Sequence, residues 1–208
     1  MVITFLKKEF TVFLKLILTL VFLFFSCMSY AGEPVEISFA HNANDEIQTG
    51  EQLKGLFKKY DLSKWIVTKN IIIDNDSIPH SHPVLTLHTR HKRDDELLLS
   101  TFIHEQMHWY LVQHQQATTA AVIELKKLYP DTPVGFPEGS NTEEGNYEHL
   151  LLIDLEWKAD RELFGELTAR QIMEFWAGDH YTWIYRTVLD HRRKIDHILD
   201  AHNLVPSK

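Results

Sequence analysis

Hydrophobic and polar positions divide the chain into a few short extended runs followed by long helical ones. Residues 32–50 are polar and without period, which predicts an irregular lead-in. From Glu51 the apolar residues Leu53, Leu56, Phe57 and Tyr60 recur at helical spacing, with Thr49 placed to cap a short helix. Trp65 to Val67 and Ile71 to Ile73 are β-branched or aromatic runs broken by Lys69 and Asn70, and they predict strands. Asp74 to Pro83 holds two prolines with Asp, Asn and Ser, a loop composition. Val84 to Thr89 alternates with period two, predicting a strand with one buried face.

The remainder reads as helix. Asp94 and Asp95 favour a helix start, and Glu96 to His114 contains neither Gly nor Pro. Its apolar residues, among them Leu97, Leu98, Leu99, Phe102, Ile103, Met107 and Tyr110, wrap nearly the whole circumference, so this helix belongs in the middle of the domain. Ala120 to Tyr129 continues as helix, Pro130 to Gly145 is a long acidic loop, and Tyr147 to Phe164 is a helix ending at Gly165. Thr168 with Gln171 forms a capping-box pattern for the next helix, which stops by Gly178; Asp179 is placed to cap a last helix reaching about His202. Strands first and helices after make an α+β domain.

Composition changes the picture at the N-terminus. Residues 1–31 carry Lys7, Lys8 and Lys15, then an apolar run from Leu16 to Phe25, then the small residues Ser29 and Ala31. That three-part order predicts a secretory signal cleaved after Ala31, leaving one domain over 32–208 that is periplasmic or secreted. Retention as a membrane anchor and lipid attachment at Cys27 are the alternatives, and the membrane is otherwise no expected partner. Three of the 21 basic residues and one of the 29 acidic ones lie in this segment, so its removal takes the net charge from −8 to −10. Such an acidic chain, with no basic stripe, speaks against nucleic-acid binding. Cys27 is the only cysteine, which excludes a disulfide framework, a thiolate metal site or a cysteine nucleophile from the mature chain. All 13 histidines lie beyond residue 31, an excess that asks for a function.

Within the apolar helix stands His104-Glu105-Gln106-Met107-His108. Residues four apart on a helix point the same way, so both imidazoles can bind one Zn²⁺ from a single face, and Glu105 lies beside that face as a general base. The neighbours Thr101 to Ile103 and Trp109 to Tyr110 are uncharged, as a buried site helix requires.

Over Val84 to Tyr110 the chain resembles the zincin metallopeptidases, whose site helix follows a strand that lines the substrate cleft. The resemblance implies a zincin-like fold, one catalytic zinc ion and a peptide or protein substrate. Four residues compete for the third ligand that a catalytic zinc needs. Glu156 and Asp160 resemble the gluzincin pair, which implies Glu156 on the metal and Asp160 holding a zinc histidine by its free ring nitrogen; the Asn that precedes that Glu in the family is Leu155 here. His149 shares their helix face seven residues earlier and is the alternative ligand. Glu148 and His114 stay open, although a continuing helix turns His114 about 240° from His108.

His180, Tyr181 and Tyr185 open the last helix and are candidates to stabilise the oxyanion. His80, His82, His88 and His91 read as solvated loop residues. The expectation is an exported zinc metallopeptidase. The alternatives are a zinc- or peptide-binding relative without turnover, and a non-peptidase metallohydrolase using the same pentapeptide.

Overall fold

The structure is a computed structural model that describes residues 35–207; the signal segment and Cys27 lie outside the described residues. It is an α+β arrangement with a small parallel sheet and a helical C-terminal half. β1 (Glu36–Phe39), β2 (Asn70–Ile73) and β3 (Leu85–Leu87) lie side by side in that order, all parallel. Ile37 pairs with Ile71 and Ile71 with Leu85, and the same register continues to Phe39, Ile73 and Leu87.

α1 (Asn44–Lys59) makes the crossover between β1 and β2. It lies so close to β1 that a Cβ on Gly50 would come within 2.6 Å of the Phe39 ring. β2 and β3 are instead joined by residues 74–84 without a helix. That link turns back on β3, where His80 and Thr86 exchange backbone hydrogen bonds of 3.1 and 2.8 Å in an antiparallel bridge.

A 3-10 turn (Thr89–His91) leads into α2 (Asp95–Gln113), whose N-terminus is capped by Asp94 accepting the Leu97 N–H at 2.9 Å. α3 (Gln115–Leu128), α4 (Glu143–Phe164), α5 (Glu166–Asp179) and α6 (Thr182–Ala201) follow. α4 is the hub, packing against α2, α3, α5 and α6, and Leu150 to Leu152, Ile153 and Leu155 are fully buried. Phe102, Ile103 and Met107 of α2 are fully buried too, so two helices greasy on most sides meet in the centre. Among the described residues, no helix is long and apolar enough to cross a membrane.

Several boundaries differ from the sequence expectation. The lead-in holds β1 and the first two turns of α1. The helix starts at Asn44 because the Glu46 carboxylate accepts the N–H groups of His41 and Ala43, both at 3.0 Å, while Thr49 sits inside the helix with its hydroxyl on the Asp45 carbonyl. Trp65 to Val67 is a turn and its sequel, not a strand. Its backbone is satisfied by the buried Gln106 amide, which accepts from Val67 and Thr68 and donates to the Thr68 carbonyl, each at 2.8 Å. β3 is buried on both faces.

At the other end, α4 begins at Glu143 with Thr142 as its cap, and α5 starts at Glu166 with no capping box at Thr168. Gly165, at φ +85°, turns the chain from one helix into the next in a single residue. Asp179 closes α5 instead of capping α6, and Tyr181 precedes α6 in the left-handed region at φ +49°.

Asp154 is buried with both carboxylate oxygens lacking a hydrogen-bond partner, and the Lys158 ammonium stands 4.0 Å away. Burial, with the charge of Asp196, pushes its carboxyl up to about 7. A carboxyl raised in the folded state destabilises as it ionises, so stability is lost between the ordinary carboxylate range and pH 7. Asp154→Asn is expected to add on the order of 2 kcal/mol at pH 8 and much less at pH 5, measured as a pH-dependent difference in Tm.

Candidate metal centre

His104 and His108 stand one turn apart on the face of α2 that meets α4, with ring centroids 5.2 Å apart. α4 brings His149 against both, with centroids at 5.6 Å from His104 and 4.9 Å from His108. One nitrogen from each of the three lies within 4.8 Å of the other two. His104 and His149 are 8% exposed and His108 is half-buried, so the cluster is largely withdrawn from water.

Hydrogen bonds set the tautomers. The His104 Nδ1 meets Glu156 Oε2 at 2.8 Å, and the His149 Nδ1 meets the Gly145 carbonyl at 2.7 Å. Both partners only accept, so each Nδ1 carries the proton and each Nε2 keeps a lone pair for a metal. Four-coordinate zinc bound at about 2.1 Å places its nitrogens about 3.4 Å apart, inside the 4.8 Å spread of the observed cluster. The residues present therefore suit a metal that takes three imidazoles and one open position.

Glu156 is fully buried and stands behind His104. Its Oε1 accepts from the Ser100 hydroxyl at 2.9 Å and its Oε2 from the Tyr185 hydroxyl at 3.1 Å. The Ser100 oxygen also lies 3.0 Å from Asp160 Oδ2 and receives the Trp176 indole N–H at 3.2 Å. Burial and the charge of Glu156 push Asp160 well above the carboxylate range.

Burial, and then the neighbouring imidazoles, hold His108 down at about 2 and His149 at about 3, so both are neutral and ready to bind a cation. For His104 burial acts in the same direction, but the Glu156 hydrogen bond and charge overcome it and leave the group raised. Glu105, 5% exposed, is pushed up to about 7 by burial, into the range where a carboxylate both takes and gives a proton near neutrality.

The rim comes from four segments. Tyr181 packs its ring against His149 at 4.6 Å, and its left-handed backbone is the kind of strain that a tyrosine adopts only where its surroundings impose it. His180 beside it is held by Asp179, which accepts from His180 Nδ1 at 3.0 Å and is itself gripped by both guanidinium nitrogens of Arg90. From the loop between β2 and β3, His82 stacks on Trp109, the residue after His108. The loop before α4 is pinned by the fully buried Asn146, which accepts from the Ser140 N–H at 2.7 Å and donates to the Pro133 carbonyl.

The structure thus brings together the three residues of the pentapeptide and gives the third corner to His149, the alternative ligand. Glu156 is displaced from that role: its oxygens face His104, Ser100 and Tyr185, and it supplies the hydrogen bond that the sequence reading gave to Asp160. Asp160 reaches Ser100 and touches no histidine. Glu148 and His114 are exposed, and the His114 Nδ1 is bonded to the Tyr110 carbonyl at the end of α2. Tyr185 is tied to Glu156, which leaves Tyr181 and His180 as the oxyanion candidates with access to the site. Among the described residues, the four loop histidines form no separate metal-binding group.

The sequence reading missed Ser100, and it missed a second cluster of His41, Glu46 and Asp74. The Glu46 oxygens there are committed to the backbone N–H groups of His41, Ala43 and Asn75, so the group braces two loops.

Comparison with protein-family models, curated proteins and solved structures finds no match to this chain. The geometry gives a direct expectation: His149→Phe abolishes stoichiometric zinc binding, whereas Glu156→Gln weakens it about 10- to 100-fold, measured by chelator competition on the purified protein.

Proposed function

We propose that this chain is an exported zinc metallopeptidase with a zincin-like arrangement of cleft and site helix. The observation that carries the reading is the convergence of His104, His108 and His149, with the buried carboxyl of Glu105 next to the first of them. A site that only stores metal has no use for a buried carboxyl beside its ligands that is not itself one of them. The signal-like order of residues 1–31 supports export, and the acidic, cysteine-free mature chain is consistent with that setting.

His104, His108 and His149 hold the zinc, which when bound supplies a Lewis acid that makes water nucleophilic near neutral pH. Glu105 takes a proton from the attacking water and delivers it to the amine that leaves. Tyr181, rigid in its strained turn, donates its hydroxyl to the carbonyl oxygen as negative charge builds there. His180, oriented by Asp179 and Arg90, is the second donor on the same side. The His104 ring is kept from rotating by Glu156, and the Nδ1–H of His149 is kept in place by the first turn of α4.

Glu105→Gln is expected to retain one zinc per chain and lose at least about 10³-fold in kcat on an unstructured peptide, because the proton carrier is gone while the ligands stay. Unchanged turnover in that variant would sink the reading. Tyr181→Phe should lower kcat about 100-fold with little change in KM, since the hydroxyl acts on charge that forms in the transition state.

A further inference from the structure

The outer edge of β3 is occupied by the chain itself. Leu85 and Leu87 pair with β2, so by strand alternation the backbone groups of Thr86 point the other way, and His80 takes both of them. The segment that does this is tethered at two further points. The Trp109 indole N–H donates to the Ser81 carbonyl at 2.7 Å, and the His82 ring stacks on Trp109 at 4.1 Å with an interplanar angle of 22°. Trp109 directly follows His108, so these tethers are made to the helix that carries the site.

The hold is weak. None of the side chains from Asp74 to Val84 is buried, and Ile78 is 81% exposed. Within this stretch, Pro79–Pro83 is secured by two backbone bonds, one indole bond and a ring stack, with no apolar anchor, and so opens at far lower cost than the fold around it. Pro79 and Pro83 limit the conformations it samples when released, which favours return to the same place.

We propose that Pro79–Pro83 is a strap seated where an extended peptide substrate hydrogen-bonds to β3, and that the peptide binds by displacing it. The strap presents a backbone N–H and C=O to Thr86 in antiparallel register, the same groups that a peptide strand offers. It also stacks His82 on Trp109, the neighbour of His108 on α2. Opening therefore bares the strand edge and the Trp109 side of the site helix together. This inference rests on the metallopeptidase reading, and it adds that substrate affinity is reduced by the fraction of molecules in which the strap is closed.

The test is amide hydrogen exchange on the zinc-loaded mature protein, with and without a peptidyl hydroxamate whose chelating group seats its extended backbone beside β3. The expected result is that the His80 amide exchanges about tenfold faster or more when the hydroxamate is bound, while Thr86 stays protected because the peptide has replaced its partner. Continued protection of His80 in the bound state would overturn the strap. His82→Ala and Trp109→Phe each remove one tether. In the ligand-free protein both should speed His80 exchange, by up to about tenfold, and lower KM for an unstructured peptide more than they change kcat. Unchanged KM together with faster exchange would also overturn it. Failure of the metallopeptidase reading looks different: zinc-loaded protein that does not bind the hydroxamate, or a Glu105→Gln variant that still turns over.

Discussion

Glu156 places a carboxylate at the centre of the helical half with no exposure to water, and that constraint organises what surrounds it. A buried ionised carboxylate is tolerated only when its oxygens are matched by donors. Here the donors are the His104 imidazole and Ser100 hydroxyl of α2 and the Tyr185 hydroxyl of α6. Three helices must therefore hold a common axial position for the charge to be satisfied. Trp176 of α5 joins the same hydroxyl, so the fourth helix is registered to it as well. The bonds that fix the packing also fix the His104 ring, and stability and site geometry cannot be separated here.

The pentapeptide was legible because its geometry is local: two residues four apart on a helix face one way whatever the rest of the chain does. The third corner was not, and the reason is physical. His149 and Glu156 share a face of α4 two turns apart, so their order along the helix does not say which one meets the metal. That depends on how far α4 slides along α2, and Ser100, an unremarked hydroxyl one turn before His104, is what sets it. Similar reasoning covers the smaller misses. Gln106 replaced a strand partner with its side-chain amide, and Gly165 began a helix in one residue where a capping box three residues later looked sufficient. β1 was hidden because a four-residue edge strand with alternating burial leaves little pattern in a polar lead-in.

The histidine excess has a spatial explanation. His80, His82, His104, His108, His149 and His180 come from four separate segments and gather around one opening. Others act as ordinary polar side chains: His88 accepts the Arg90 N–H in the turn after β3, and His202 pairs with Glu124. Crowding imidazoles and burying them lowers their affinity for protons, which is the condition for affinity towards a metal.

All three strands run the same way, so the chain leaves every one of them at the same end of the sheet, towards His41, the loop that bears His80 and His82, and the turn at His88. Parallel sheets collect their variable segments at that end. Because the clustered histidines sit on helices and the loop after β2 contributes nothing to the core, the two can diverge on separate schedules. Descendants of this chain can acquire new partners by rewriting that loop, while the helices pass on the chemistry unaltered.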